Sequence, residues 1–480
     1  MVIQESLRNT IAGSDVSFGT SGARGLASDM NDATCGAYVA AFLAVASRDH
    51  AFGRVALGMD LRPSSPGIAA ACAGAIQAAG FEVEFCGVLP TPALALHAMS
   101  HAIPAVMVTG SHIPFDRNGL KFYRPDGEIS KDDETAMLAT AVPPATQAIQ
   151  LPEPGKAAIE AYARRYLEFF GPALLKGLRI GLYEHSSASR DVFAEILGGL
   201  GATVVSLGRT DQFVPIDTEA VAEEDMARGR AWAVEHRLDA IISTDGDGDR
   251  PLVSDEHGAW LRGDLLGLVC ARALGIEAVA IPVSCNSAIE ASGAFREVSR
   301  TRIGSPHVIA GMDMLAGRHA RVAGFEANGG FLLACPLAND RATLAPLPTR
   351  DAVLPALALL GAARTVGAPV SMLIGRLPPR HTASDRLQSF PGDESRPLLE
   401  HWTRHPGDLL TDLGLPGTGL GVDTTDGLRV TLANGEVVHL RPSGNAPELR
   451  CYTEAANAAR AAELVRQVLD LIAGRRRPPA

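Results

Sequence analysis

Short apolar runs punctuated by Gly and polar turns recur along the chain, and one unit can be read three times. Arg54-Val-Ala-Leu-Gly-Met59 predicts a strand, Pro66–Ala79 a helix stopped by Gly80, and Phe81–Cys86 a second strand. Leu178–Tyr183, a helix over Arg190–Leu197 that runs out in Gly198-Gly199, and Ala202–Leu207 repeat that order. Ala278–Val283, Asn286–Ala291 before Gly293, and Phe295–Ser299 make a third, weaker copy. Gly suits the helix ends because it accepts the left-handed conformation there, and the strands are short and β-branched. Strand–helix–strand units close by right-handed crossover into parallel pairs, so each copy seeds an α/β layer.

After each copy another apolar strand runs into a loop of small and polar residues. Ala105–Val108 leads into Thr109-Gly-Ser-His112, Asp239–Ile242 into Ser243-Thr-Asp-Gly-Asp-Gly-Asp249, and Arg321–Gly324 into Phe325-Glu-Ala-Asn-Gly-Gly330. Ligands of open α/β sheets sit beyond the carboxyl ends of the strands, so three equivalent loops can converge on one cleft. The remainder differs. Leu428–Leu432, Asn434-Gly435 and Glu436–Leu440 predict a hairpin with a type I′ turn, and Glu454–Leu471 a helix with an alanine-rich apolar face. Pro369, Pro378 and Pro379 mark a linker. The expected fold is three related mixed α/β domains and a C-terminal α+β lid around a central cleft, at 1–150, 151–254, 255–366 and 367–480. With 480 residues the chain is too long for one core.

Composition narrows the class. A net charge of −11 argues against a nucleic-acid binder, which needs a basic footprint. It also means that an anionic small molecule must meet a local cluster of Arg and Lys. The basic tail Arg475-Arg476-Arg477 reads as a solvated terminus. The seven Cys form no C-x-x-C pair and give neither a disulfide framework nor a zinc spacing. The first residues lack the apolar stretch of a secretory signal, and Ala40–Ala46 is far short of the ~20 residues a bilayer span requires. A soluble, cytoplasmic protein without a membrane partner is expected.

The sharpest chemical signal is Asp245-Gly-Asp-Gly-Asp-Arg250. Alternate carboxylates on a Gly-rich turn can face one centre, and a hard divalent cation takes oxygen ligands of this kind. An EF-hand is the rival, since Asp245, Asp247, Asp249 and Glu256 fall at loop positions 1, 3, 5 and 12. That loop needs Gly at position 6, where this chain has Arg250, and a strand precedes it instead of a helix. A catalytic Mg²⁺ site at Asp245, Asp247 and Asp249 is the reading, with coordination left open for a phosphate oxygen.

Thr109-Gly-Ser-His-Ile-Pro114 offers a hydroxyl, Ser111, at the end of a buried strand, and by itself it is only a turn residue. Its place in the recurring loop raises it to a candidate nucleophile, with His112 beside it. Asp116-Arg-Asn-Gly-Leu-Lys121 reads as a tight Asn-Gly turn that brings Lys121 back as acid, base or phosphate clamp. Arg441-Pro-Ser-Gly-Asn-Ala-Pro-Glu-Leu-Arg450 packs Arg441, Ser443, Gly444, Asn445 and Arg450 into a hairpin-to-helix loop able to nest an anion. Glu326 and Asn328 can hydrogen-bond sugar hydroxyls, with a turn or capping role as an equal reading. Phe18-Gly-Thr-Ser-Gly-Ala-Arg-Gly25 is Gly-rich with one fixed cation, Arg24, and lacks the strand–helix context of a dinucleotide loop.

Taken in order, these loops resemble the α-D-phosphohexomutase superfamily. Phe18–Gly25 is similar to its amino-terminal signature, Thr109–Pro114 to its phosphoserine loop, and Asp245–Arg250 to its metal loop. Gly324–Gly330 is similar to its sugar loop, and Arg441–Arg450 to its phosphate loop. The resemblance implies phosphorylation of Ser111, Mg²⁺ held by Asp245, Asp247, Asp249 and the Ser111 phosphoryl oxygens, and a hexose 1,6-bisphosphate intermediate. It implies a mutase that interconverts the 1- and 6-phosphates of mannose or glucose, with Arg24, Lys121 and His112 in the chemistry. Arg250 falls among the substrate contacts, and Arg302, in Thr301-Arg-Ile-Gly304, takes the place of a phosphate-binding Lys. Three positions depart: Ile113 for a common Asn, Asn328 for a common Ser, and Asn445-Ala446 for a common Thr-Glu. Phosphoglucosamine mutase is the alternative, although such enzymes usually read T-D-G where this chain has Thr20-Ser21-Gly22. A metal-dependent sugar phosphatase and a non-catalytic sugar-phosphate sensor are the readings from other classes.

Overall fold

The computed structural model of the chain describes residues 5–19, 22–143, 147–415, 420–443 and 448–475. A strand β1 (Ala23–Leu26) and a buried helix α1 (Asp32–Ala46), capped by Asn31, precede the first copy of the repeat. That copy is β2 (Arg54–Met59), α2 (Ser65–Ala78) and β3 (Glu82–Val88). Next come α3 (Thr91–Ser100), β4 (Ala105–Val108) and β5 (Arg117–Arg124). β2 pairs in parallel with β3 on one side and β4 on the other, and β5 returns antiparallel to β4.

The second copy has the same plan. After the helix α4 (Ala157–Phe170) the strands are β6 (Arg179–Tyr183), β7 (Thr203–Leu207), β8 (Ala240–Thr244) and β9 (Pro251–Val253). β6 lies in parallel between β7 and β8, and β9 is antiparallel on β8. A helix α5 (Gly263–Ala273) then leads into the third copy, β10 (Ala278–Pro282), β11 (Glu297–Thr301), β12 (Val322–Phe325) and β13 (Phe331–Leu333). Its pairings repeat the first two, and β14 (Leu347–Asp351) adds at the far edge. Here the crossover helix shrinks to Ala288–Ala291. In all three sheets the third strand turns back into an antiparallel fourth, so the turns after β4, β8 and β12 are topologically equivalent. β4, β8 and β12 are buried at every position, as strands covered on both faces must be, and only their carboxyl ends meet the cleft.

One hydrophobic cluster runs from Leu94 and Tyr123 through Tyr162 and Phe193 to Phe325 and Leu357, so the three units share a core. Polar contacts tighten it: Tyr162 donates to Asp351 at 2.5 Å, and Tyr166 donates to the other oxygen of that carboxylate. The last unit has a separate core around Trp402, Leu428, Leu440 and Leu464. Its antiparallel strands are β15 (His381–Leu387), β16 (Leu420–Asp423), β17 (Leu428–Leu432), β18 (Val437–Pro442) and β19 (Leu449–Ala455), in the order β15-β19-β18-β17-β16. The helix α6 (Ala458–Gly474) follows. No helix among the described residues is long and apolar enough to cross a membrane.

Four local expectations are corrected. The final helix starts at Ala458, because Asn457 caps it and Glu454 belongs to β19. The loop at 441–450 therefore joins two antiparallel strands, with Arg441 directly opposite Arg450, instead of leading into a helix. At Asn434-Gly435 only Gly435 has a positive φ (80°). With Gly435 N donating to Leu432 O, the turn is type I followed by a Gly bulge and not type I′. Asn118-Gly119 lies inside β5 and makes no turn. Gly119 is required there by close approach, since a Cβ would sit 2.5 Å from the Ala23 carbonyl oxygen.

Phe325 is fully buried at the root of the β12–β13 turn, stacked on Phe331 with 6.1 Å between ring centroids. Phe325→Ala is expected to cost ~3–5 kcal/mol, read as a lower urea midpoint with an unchanged m-value.

Candidate active site

The turn after β4 is built around a buried arginine. Arg62 Nη2 donates to the carbonyls of Ser111 (2.8 Å) and Ile113 (2.6 Å), and Nη1 to those of Pro114 (2.6 Å) and Arg117 (2.8 Å). Its charge is balanced by Asp60 at 3.2 Å, and the Phe213 ring covers the guanidinium at 4.1 Å. Asp60 also accepts from Thr109 Oγ1, which in turn accepts from Ser111 N. Under these restraints Ser111 is held at φ 56°, a left-handed conformation that costs a non-Gly residue ~1–3 kcal/mol. Arg62 escaped the sequence reading. Its signal was position, because Asp60-Leu-Arg62 follows a repeat strand as directly as the Ser111 loop does.

The turn after β8 meets this loop. Asp245, Asp247 and Asp249 are wholly buried, with carboxylate oxygens within 4.8 Å of one another. Gly248 makes the turn possible at φ 70°, where a Cβ would strike Pro90 and Ser189 at 2.8 Å. Ser111 Oγ donates to Asp245 Oδ2 at 2.5 Å. Thr91 Oγ1 and Lys121 Nζ donate to Asp247 Oδ2 at 2.5 and 2.6 Å, and Lys121 also reaches Asp249 Oδ2 at 2.5 Å. Arg350, on β14, donates through Nε to Asp249 Oδ2 at 3.0 Å and through Nη1 to Glu326 Oε2 at 3.2 Å. Sequence reasoning missed Arg350, which stands outside every recognisable loop.

Electrostatics set the protonation pattern. Burial, then the charges of Asp247 and Asp249, push the Asp245 carboxyl well above the usual range. Burial acts the same way on Asp249, but Arg350, Lys121 and Arg250 outweigh it and hold that group low. Asp247 Oδ1 and Asp249 Oδ1 are buried without a donor. A cluster with two orphaned carboxylate oxygens and one carboxyl kept from ionising fits a hard divalent cation, which supplies the missing positive charge to oxygen ligands.

Arg250 lies over this cluster, 3.8 Å from Asp245 and 3.7 Å from Asp249, and its Nη1 donates to His112 Nδ1 at 2.6 Å. Burial, then Arg250 and Arg24, hold the His112 imidazole well below its ordinary pKa. Arg24, half-buried on β1 opposite Gly119, is lowered to about 10 by burial and then by Arg250. Glu326 and Asn328 are both buried: Glu326 is engaged by Arg350, and Asn328 Oδ1 accepts from Gly330 N at 3.0 Å. Glu219, from the β7–α loop, was also missed. Burial raises its carboxyl among Arg262, Arg250 and Arg450.

From the fourth unit, Arg450 comes near enough to add to the depression of His112. Arg441 Nε pairs with Asp426 Oδ1 at 2.9 Å. Arg302 is exposed, and its Nε donates to the Thr425 carbonyl at 3.2 Å, which brings it to the same loop. Ser443 N donates to Glu448 O at 2.8 Å and closes the mouth of the β18–β19 turn. Gly444, Asn445 and Ala446, like Thr20 and Ser21, lie outside the described residues.

Comparison with known proteins matches this arrangement unit by unit. Models of the phosphoglucomutase/phosphomannomutase α/β/α domains I, II and III match residues 15–147, 161–258 and 262–381, and the C-terminal domain of that family matches 407–471. A phosphomannomutase of Salmonella muenchen is 50% identical, over 96% of each chain. One from Sinorhizobium fredii is 44% identical, over 95% of this chain and 98% of the relative. A phosphoglucosamine mutase of Granulibacter bethesdensis is 31% identical, over 95% and 96%. Among solved structures, a putative phosphomannomutase from Thermus thermophilus superposes with a TM-score of 0.73 at 23% identity, covering 96% of this chain and 99% of that one.

Two outcomes follow from the geometry. Arg62→Lys keeps the charge but cannot span four carbonyls, so turnover is expected to fall ~10²-fold, with KM little changed in steady-state kinetics. An NMR titration of His112 is expected to place its midpoint well below the ordinary value of 6.5, because burial and then the charges of Arg250 and Arg24 disfavour the imidazolium.

Proposed function

The chain belongs to the phosphoglucomutase/phosphomannomutase family, and on that footing we propose that it interconverts the 1- and 6-phosphates of mannose, with glucose as the second sugar, through a phosphoryl group carried on Ser111. One observation carries the reading. Ser111 Oγ sits 2.5 Å from Asp245 at the meeting point of a strained loop, a carboxylate triad and Lys121. A hydroxyl that serves only as a turn residue needs none of these neighbours.

In the first half-reaction the oxygen of the sugar's unesterified hydroxyl attacks phosphorus on phospho-Ser111. The new P–O bond forms as the P–Oγ bond breaks, and a hexose 1,6-bisphosphate results. The hydroxyl proton leaves through His112 or Lys121, and a proton is returned to Ser111 Oγ as it departs from phosphorus. His112 serves only once substrate displaces Arg250 from Nδ1, because the other ring nitrogen carries the hydrogen while Arg250 donates there. Lys121 and Arg250 supply fixed positive charge beside the phosphoryl oxygens. Mg²⁺ held by Asp245, Asp247, Asp249 and an oxygen on Ser111 would add Lewis-acid charge stabilisation at the transferring group. Positioning and charge are most of what this chemistry needs, because phosphomonoester cleavage without a catalyst is slow enough to require accelerations of up to ~10²¹.

Arg441, Ser443 and Arg450, with Arg302 beside the same loop, are the groups that would hold the second phosphate, and the sequence adds Gly444 and Asn445, which lie outside the described residues. After the bisphosphate turns over, that phosphate returns to Ser111, the serine hydroxyl proton passes by the same groups to the departing sugar oxygen, and the isomer leaves. Mannose is placed first because the relatives at 50% and 44% identity bear the name phosphomannomutase, whereas the phosphoglucosamine mutase stands at 31%.

The test is incubation with mannose 1-phosphate, Mg²⁺ and a trace of mannose 1,6-bisphosphate. Mannose 6-phosphate is expected at constant total ester phosphate, faster than the corresponding reaction of glucosamine 1-phosphate. Release of inorganic phosphate in place of isomer would make the protein a phosphatase. Ser111→Ala is expected to lower turnover by at least ~10³-fold. Chelation of divalent ions is expected to abolish turnover reversibly.

A further inference from the structure

A second cluster of ligand-type side chains lies outside the cleft, between the edge strand β3 and the last turn of α3. Glu84 and Cys86 come from β3 and His97 from α3, and their ligand atoms all lie within 4.8 Å of one another. His97 and Cys86 are buried, and Glu84 is half-buried. The β2–β3 register skips from Leu57–Phe85 to Gly58–Gly87, so Cys86 is the extra residue of a β-bulge and stands out of the ladder. Its Sγ lies 3.6 Å from Glu84 O, and His97 Nε2 lies 2.6 Å from Glu84 Oε1.

His101, one helical turn beyond His97, completes an i, i+4 histidine pair with 4.3 Å between ring centroids. His101 Nδ1 donates to the His97 carbonyl at 2.9 Å, which leaves the lone pair on Nε2. Histidines that bind metals are oriented by this kind of hydrogen bond from the other ring nitrogen. Glu84 Oε2 is buried without a hydrogen-bond donor, and its ion-pair partner Arg54, at 3.0 Å, is 43% exposed and can turn to solvent.

We propose that Glu84, Cys86 and His97, with His101 as the fourth ligand, form a zinc site separate from the catalytic cleft. A thiolate, imidazoles and a carboxylate suit zinc and exclude Mg²⁺, which prefers an all-oxygen shell. Tetrahedral zinc at ~2.0–2.3 Å from its ligands sets them ~3.3–3.8 Å apart, so side-chain shifts of about an ångström close Glu84, Cys86 and His97 on an ion, and the exposed His101 ring must swing further to join them. Binding releases the Cys86 thiol proton to solvent and moves Arg54 off Glu84.

The effect is on stability and not on chemistry. α3 begins at Thr91, whose N–H donates to the Asp247 carbonyl at 2.9 Å and whose hydroxyl donates to the Asp247 carboxylate. His97 is six residues further, ~9 Å along the helix axis. Zinc would fasten the far end of the helix whose near end buttresses the metal loop.

The experiment is a Co²⁺ titration of the full chain with the carboxylate triad saturated by Mg²⁺. The triad has no sulfur, so a near-ultraviolet thiolate-to-cobalt charge-transfer band reports this cluster alone. One equivalent of band is expected, displaced by Zn²⁺, lost in Cys86→Ser and weakened at least ~10-fold in His97→Ala. Both variants are expected to keep mutase activity in Mg²⁺ within twofold of the parent chain, which shows that they fold. Zinc is expected to raise the melting temperature of the parent chain and leave that of Cys86→Ser unchanged. Absence of the band in the parent chain, or its persistence in Cys86→Ser, overturns the proposal.

Discussion

The structure turns on one dry junction of charges. Asp245, Asp247 and Asp249 come from the second unit, Lys121 from the first, and Arg350 and Glu326 from the third, and all six are almost wholly inaccessible. Buried ion pairs of this kind gain little net stability over a well-packed apolar core, but removing one member strands its partner at a cost of ~3–5 kcal/mol. The junction therefore fixes how three sheets sit against one another more than it strengthens them. It is also incomplete within the protein, with two carboxylate oxygens lacking donors and Asp245 kept from ionising. Those same shortfalls suit it to receive a cation, as the proposed function requires.

The Ser111 loop shows how that requirement reaches back into local structure. A serine at φ 56° would relax unless its neighbours prevented it, and Arg62 prevents it by gathering four carbonyls of the loop onto one guanidinium. Phe213, from the second unit, closes over that guanidinium, so the geometry of Ser111 depends on the same inter-unit contact as the carboxylate loop. The strain is local, while the restraint is tertiary.

That distinction explains what could be read from the sequence. The repeat, its parallel pairing and the convergence of the loops bearing Ser111, Asp245 and Glu326 were legible, because periodicity and Gly punctuation are local signals. Arg62, Arg350 and Glu219 were not, since each acts through partners about 20 to 230 residues away and none sits in a distinctive motif. Turn chemistry failed where a dipeptide was trusted without its pairing. Asn118-Gly119 is a strand interior because β1 and β4 flank it, and Asn434-Gly435 uses Gly alone. The strand β19 escaped the reading for a similar reason, its first two residues falling in the expected loop and its last two in the expected helix. Leu449–Ala455 takes its extended form from pairing with β15 and β18, which no local propensity reports.

The fourth unit is attached differently from the other three. From His381 on its core is closed on itself, whereas Val370 and Leu377 of the connecting segment still pack into the shared core. Its polar links to the third unit include Ser287 to Glu454, Asn286 to the Arg380 carbonyl, and Ile303 N to Asp426. With the body beyond His381 outside the shared apolar core, its motion relative to the third unit is the default expectation. The chemistry proposed here calls for that freedom. A bisphosphate must exchange its two ends without escaping, while a phosphoserine must be kept from water whenever the cleft holds substrate. A rigidly docked fourth unit would satisfy the second demand and defeat the first. A hinge of a few hydrogen bonds, carrying Arg441 and Arg450 on the moving body and Ser111 on the fixed one, meets both.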